Sequence, residues 1–67
     1  MFIQIEDKDG VKHLVNIDKI EFVKELNDGT AEINFTPDYI YTKDKYKMVI
    51  ADILRIARNF KYTGGNK

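Results

Sequence analysis

The sequence contains no cysteine, no serine and no tryptophan, and it has a single histidine and a single proline. Without cysteine there is no disulfide framework, no thiolate metal site and no cysteine nucleophile, and without serine there is no serine nucleophile. The lone His13 has neither a cysteine nor a second histidine with which to bind a metal. We therefore expect a protein that is not an enzyme, with no catalytic residues, no metal site and no cofactor.

Long apolar runs are also missing. No stretch approaches the roughly 18 consecutive apolar residues that would cross a bilayer, so we expect no contact with the membrane interior. The first residues, Met1 to Asp7, show neither the basic start nor the small-residue cleavage site of a signal peptide. A cytoplasmic location is the expectation, and the absence of cysteine agrees with it.

The chain has no net charge, because 11 basic residues balance 11 acidic ones. This balance argues against a nucleic-acid-binding protein with a uniformly basic surface. The two signs are nevertheless separated along the sequence. Residues 1–42 carry four lysines and nine acidic residues, whereas residues 43–67 carry seven basic residues and two aspartates.

Alternation of apolar and polar residues predicts four or five strands, at residues 1–6, 11–17, 19–26, 30–36 and 39–41. Turn residues separate them, at Asp7 to Gly10 and at Asn27 to Gly29, and Pro37 ends the fourth strand. In the third strand, Phe22 is expected to face inward and Val23 to lie on the polar face.

After the strands the apolar period lengthens to that of a helix, predicted from about residue 43 to residue 61, with Thr42 as its N-cap. The fold class is therefore α+β: an antiparallel β-meander of four or five strands followed by one C-terminal helix packed on the sheet. One small domain is expected over residues 1–62, and residues 63–67 are expected to form a flexible tail.

The segment from Val15 to Val23, VNIDKIEFV, resembles the V-N-x-D-x-I-E-x-I/V stretch of small FlbD-type flagellar and swarming-motility proteins. Residues 30–33, 39–41 and 49–50 stand where that family has a further hairpin, an aromatic strand and a helix. Lys43 and Asp44 depart from its usual Glu-Ser at the helix start. A similar string occurs in LytTR-type DNA-binding domains. The resemblance implies a small non-enzymatic regulatory or adaptor protein and assigns no functional residues.

Two local patterns are read as structural. His13 shares a predicted strand face with Val11 and Val15 and has no positioned partner for acid–base chemistry. Asp7-Lys8-Asp9-Gly10 resembles part of a calcium loop, but Asn16 stands where that loop needs a glutamate, six residues after the glycine. A plain hairpin turn is the prediction for this segment.

Two surfaces are candidates for binding. Tyr39 and Tyr41 are predicted to point away from the helix, beside Leu14 and Val23, and these four residues form a hypothetical oligomer face. On the helix, Met48 lies opposite the apolar face. A basic stripe flanks that face, and its predicted members are Lys43, Lys47, Arg55, Arg58 and Lys61.

These features predict a regulatory adaptor that acts through protein–protein contacts, as a homo-oligomer and most simply a dimer. Any heterologous partner would be an acidic protein surface meeting Lys47, Arg55, Arg58, Lys61 and Met48. The alternative is a nucleic-acid or nucleotide binder that uses the basic stripe and the tyrosines. This alternative includes a phage-type inhibitor that sequesters a nucleotide signal or blocks a host enzyme.

Overall fold

The computed structural model describes residues 1–64, and it describes side chains as far as Ala57. This part of the chain forms five strands and one helix, namely β1 (Phe2–Glu6), β2 (Lys12–Asn16), β3 (Phe22–Glu25), β4 (Thr30–Phe35), β5 (Asp38–Lys45) and α1 (Tyr46–Gly64). Every strand pairing is antiparallel. The predicted α+β architecture, a meander followed by a C-terminal helix, is confirmed.

The strands form two sheets, β1–β2 and β3–β4–β5. The sheets meet where Asp7 bridges Thr42 and the Lys8 N–H donates to the Tyr41 carbonyl at 3.1 Å. Asp28 ties the turns of the two hairpins together, because its carboxylate accepts a hydrogen bond from Lys8 Nζ at 2.7 Å. The first hairpin is thereby fixed beside β5.

The core lies between the inner faces of the two sheets and one side of α1. Its buried apolar residues are Ile3, Ile5, Val15, Ala31, Ile33, Ile40 and Val49. Half-buried Ile53 and Ile56 extend the contact along the helix. These residues follow period two in the strands, and Val49, Ile53 and Ile56 follow helical spacing in α1, so the apolar pattern accounts for the packing.

The predicted facing of β3 is wrong. Val23 is half-buried and packs against the core, whereas Phe22 is exposed. The prediction continued the alternation of residue 20 through a strand beginning at 19. Instead, Ile17–Lys19 forms a 3-10 turn, capped by the Asn16 side chain, and the strand begins only at Phe22. The turn breaks the alternation, because Ile20 and Val23 both pack on the core although they are three residues apart.

The end of β5 also differs from the prediction. Thr42 is not a helix N-cap: it lies within β5, which continues to Lys45, and α1 begins at Tyr46. Two extra residues of β5 are accommodated where the pairing shifts from Glu32↔Tyr41 to Thr30↔Lys45. The buried Thr42 hydroxyl accepts from the Ala31 N–H at 3.0 Å, so a side chain replaces the backbone partner that the shift removes.

Helix α1 continues past the predicted end at residue 61 and reaches Gly64. Thr63 and Gly64, the first two residues of the predicted tail, are therefore helical. Residues 65–67 of that tail lie outside the described residues.

Candidate functional site

The outer side of the three-stranded sheet carries three exposed aromatic side chains, Phe22, Tyr39 and Tyr41, which we call the aromatic face. Pairing across the sheet places Phe22 opposite Asn34 and Asn34 opposite Tyr39, so the three share one face. Tyr41 follows two residues after Tyr39, and the two ring centroids lie 5.1 Å apart. The three side chains remain 48%, 55% and 45% exposed, respectively.

The four residues of the predicted oligomer face do not lie together. Tyr39 and Tyr41 point outward as expected, but Val23 points into the core. Register explains this, because Val23 pairs with Ile33 and Ile33 pairs with Ile40, which are both buried. Leu14 is 72% exposed. The prediction placed it in the same sheet as the tyrosines, but it belongs to the two-stranded sheet.

The expectation that His13 has no positioned partner is wrong, because its Nε2 lies 2.8 Å from Asp7 Oδ2. The other Asp7 oxygen accepts from the backbone N–H groups of Asp9 and Val11, each at 2.9 Å. These contacts, the bond to His13 first among them, hold the pKa of Asp7 below its usual value. The carboxylate is thus engaged in closing the hairpin turn, and Gly10 supplies the positive φ of 85° that the turn needs.

Asp28 has the more strongly perturbed carboxylate. Its pKa lies well below the ordinary value, chiefly because Lys8 bonds to it and then because the hydroxyl and N–H of Thr30 donate to it. Lys45 Nζ reaches the Asp28 carbonyl at 3.0 Å. Asp28 therefore organises the turn before β4 and the approach of the neighbouring hairpin.

A cleft runs between β2 and β5. One cavity of about 270 Å³ is lined by residues of β2 together with Lys19, Phe35 and Ile40. A second cavity of about 290 Å³ lies beside the Asp7 to Asp9 turn and the two tyrosines. His13 and Ile40 line both cavities, so the two adjoin. The cleft has an apolar wall, with Lys19 at one end and Asp7, Lys8 and Asp9 at the other.

The basic stripe is shorter in its described part than predicted. Lys47 is exposed on α1, and Arg55 is exposed and contacts Asp52 at 3.2 Å. Lys43 lies in β5 and not on the helix, and its Nζ is 3.6 Å from Glu6. Met48 is 56% exposed, in agreement with its position off the apolar side. The side chains of the two further predicted members, Arg58 and Lys61, lie outside the described residues.

Sequence reasoning missed Phe22, Phe35 and Lys19 as surface or cleft residues. Phe22 was missed because the predicted alternation of β3 placed its side chain inward. The cleft joins β2 to the end of β4, and no local pattern reports such a long-range juxtaposition of Lys19 and Phe35.

Nothing in the described part of the chain assembles a metal site, because no group of three or more His, Asp or Glu side chains converges there. Within residues 1–64, no helix combines the length and apolarity that a membrane span requires. No protein-family model, curated protein or solved structure matches this chain.

Proposed function

We propose that this chain is a non-enzymatic binding module that works through protein–protein contacts and associates with itself through the aromatic face. The observation that carries the proposal is the grouping of Phe22, Tyr39 and Tyr41 on one side of a sheet, each about half exposed. Adjacent exposed aromatic residues are typical of protein interfaces, where such side chains supply most of the binding energy. A cytoplasmic location stays part of this proposal.

Size is the second support for self-association. A single core in a chain of 67 residues rarely supplies more than about 3–5 kcal/mol, and the absence of cysteine removes disulfides as a supplement. Association of folded chains stabilises each of them by mass action. A dimer that covers the aromatic face would provide that stabilisation.

The exposed area sets the expected strength. An aromatic side chain has about 150–250 Å² to bury, so three half-exposed rings offer on the order of 300 Å² per copy. A standard interface buries about 800 Å² per partner. Polar neighbours on the same face, among them Asn34 and Lys24, must contribute the remainder, and we expect a dimer that dissociates at micromolar concentration.

The one histidine supports a non-enzymatic function. His13 is bonded to Asp7, and Asp7 in turn holds the backbone of the hairpin turn. A general base requires a substrate proton within reach and an orienting partner whose role is to hold the base. The contact between Asp7 and His13 joins the two strands of one hairpin near its turn, and this structural role accounts for both residues.

The alternative, nucleotide or nucleic-acid binding through the basic stripe and the tyrosines, has weaker support. Helix α1 packs through Val49 on the inner side of the sheet, while Tyr39 and Tyr41 lie on the outer side. A single small ligand cannot contact both surfaces. A steep loss of binding with added salt would indicate phosphate recognition and would favour this alternative.

The test is the mass of the protein in solution, measured by light scattering over a range of concentrations. We expect the wild-type chain to approach twice its monomer mass of 7.8 kDa as concentration rises. Tyr39→Ser combined with Tyr41→Ser is expected to remain monomeric. The matched control is Met48→Gln with Leu54→Gln, which removes two comparably exposed apolar side chains from α1. A monomeric wild type at high micromolar concentration contradicts the proposal.

A further inference from the structure

Strand β2 has one unpaired edge. Among the described residues it pairs only with β1. In an antiparallel pair, successive residues direct their backbone N–H and C=O groups alternately toward the neighbouring strand and away from it. The Asp7 N–H bonds to the Val11 carbonyl at 2.8 Å, and the Ile17 N–H bonds to the Met1 carbonyl at 2.7 Å. Odd-numbered residues of this strand therefore face β1.

It follows that Lys12, Leu14 and Asn16 direct their backbone groups away from β1. Within the described part of the chain, the backbone groups of Leu14 have no hydrogen-bond partner outside the strand ladder. Leu14 also has the most exposed large apolar side chain among residues 1–57, at 72%. A row of unsatisfied donors and acceptors of this kind is a template on which another chain can pair.

The cavity of about 270 Å³ lies alongside this edge. It is lined by four consecutive residues, His13 to Asn16. Consecutive residues of a strand point to opposite faces, so a cavity that touches all four lies beside the edge of the strand and not over one face. The opposite wall is apolar, formed by Phe35 and the otherwise buried Ile40. The unpaired backbone groups of β2 thus lie next to a cavity that can accept a side chain.

The charges give the cleft a direction. Lys19 lines the first cavity, and no ion pair engages it among the described side chains. Asp7, Lys8 and Asp9 line the adjoining cavity at the far end. Asp7 contacts His13 and Lys8 contacts Asp28, whereas the Asp9 carboxylate has no ion-pair partner within that part of the chain. A bound segment that carries an acidic residue near Lys19 and a basic residue near Asp9 would match both ends.

We propose that β2 binds an extended segment of a partner protein by adding it as a new strand. The segment inserts an apolar side chain toward Phe35 and Ile40, which line the cavity, and places an acidic residue beside Lys19. This mode of recognition takes affinity from backbone hydrogen bonds and specificity from pockets for alternate side chains. The edge of β2 and the first cavity include no residue of the aromatic face, although Tyr39 and Tyr41 line the adjoining cavity. The inference goes beyond the self-association proposed above and does not depend on it.

The experiment selects peptides from a phage-displayed random library on the immobilised full-length protein. We expect enriched peptides that carry an apolar and an acidic residue, with the acidic residue first if the segment pairs antiparallel to β2 and last if it pairs parallel. Affinity of the best synthetic peptide is then measured against the wild type, Leu14→Pro and Leu14→Ala. The Leu14 N–H points away from β1, so proline removes a donor of the free edge without breaking the hairpin ladder. Loss of the backbone bonds is expected to weaken binding about tenfold or more.

Two controls keep the outcome decisive. Leu14→Ala keeps the backbone donor, so it is expected to weaken binding less than proline does. Peptides N-methylated at alternate amides test the same point on the unaltered protein, because only methylation of the set that pairs with β2 should abolish binding. Folding of each variant is checked by circular dichroism.

Several results would overturn the inference. They are a selection without enrichment, an affinity unchanged by Leu14→Pro in a folded variant, and equal effects of the two methylation patterns. A Leu14 amide that becomes protected from hydrogen exchange as the concentration of the protein alone rises would assign the edge to a second copy. That result would contradict the heterologous partner proposed here while leaving self-association intact.

Discussion

Replacement of Thr42 by valine should destabilise the fold far more than the loss of one hydroxyl from a strand normally would. Thr42 is 1% exposed, and its hydroxyl accepts from the fully buried Ala31 N–H and donates to the Asp44 carbonyl at 2.8 Å. Valine has nearly the same shape, so the packing is retained while both hydrogen bonds disappear. The Asp44 carbonyl belongs to an exposed residue and can bond to water, but the Ala31 N–H cannot.

The magnitude follows from that one buried donor. An unsatisfied buried polar group costs about 1–3 kcal/mol. At about 0.05–0.15 kcal/mol per residue, a chain of 67 residues has roughly 3–10 kcal/mol of stability in total. A loss of about 2 kcal/mol lowers the melting temperature of a domain of this size by about 8–16 °C.

The assay is thermal and urea unfolding followed by circular dichroism, with all variants at one protein concentration because self-association would add to apparent stability. Thr42→Ser, which keeps the hydroxyl, is the matched control and should lose less. Thr36→Val removes an exposed hydroxyl that bonds to Asn34 and Glu21, and it should change stability by less than about 0.5 kcal/mol. If Thr42→Val is as stable as the wild type, the hydroxyl is not the partner on which the Ala31 N–H depends.

Further predictions concern β3 and acid stability. Val23→Ala should lower the free energy of unfolding in urea by about 1 kcal/mol, because two half-buried methyl groups are lost. Phe22→Ser should lower it by less than about 0.5 kcal/mol. The reverse order would support the orientation predicted from the sequence, with Phe22 facing inward. The pKa of Asp28 is depressed in the folded state, so its stabilising contribution is complete above the ordinary value of 3.8 and is lost as pH falls through the lower folded pKa. Asp28→Asn should therefore lower the urea midpoint at neutral pH and make it less dependent on pH in the acid range, and an unchanged acid dependence would contradict the assignment.

Local patterns were sufficient to predict most of the fold. The turn at Asn27 to Gly29 was predicted from its residues, and Gly29 has the positive φ of 88° expected there. The alternation of Ala31 and Ile33 predicted a strand with those residues inward, and both are fully buried. Such features depend on neighbours in sequence, so the sequence displays them directly.

The errors arose where tertiary contacts override local preference. Thr42 has the chemistry of an N-cap, but its hydroxyl satisfies a donor on β4 that a register shift leaves without a backbone partner. Val23 was assigned to the wrong face because a single 3-10 turn shifts the inward and outward alternation of the residues that follow it. The cleft beside β2 could not be predicted either, because Lys19 and Phe35 meet only once both sheets are assembled.

The most direct test of self-association through the aromatic face is an isotope-filtered NMR experiment on an equal mixture of labelled and unlabelled protein. It detects only contacts between different copies. We predict intermolecular contacts from the Tyr39 and Tyr41 rings to the aromatic face of the second copy, and their disappearance on dilution. If no such contacts are found at high micromolar concentration, or if those found arise from α1 alone, the central claim is contradicted.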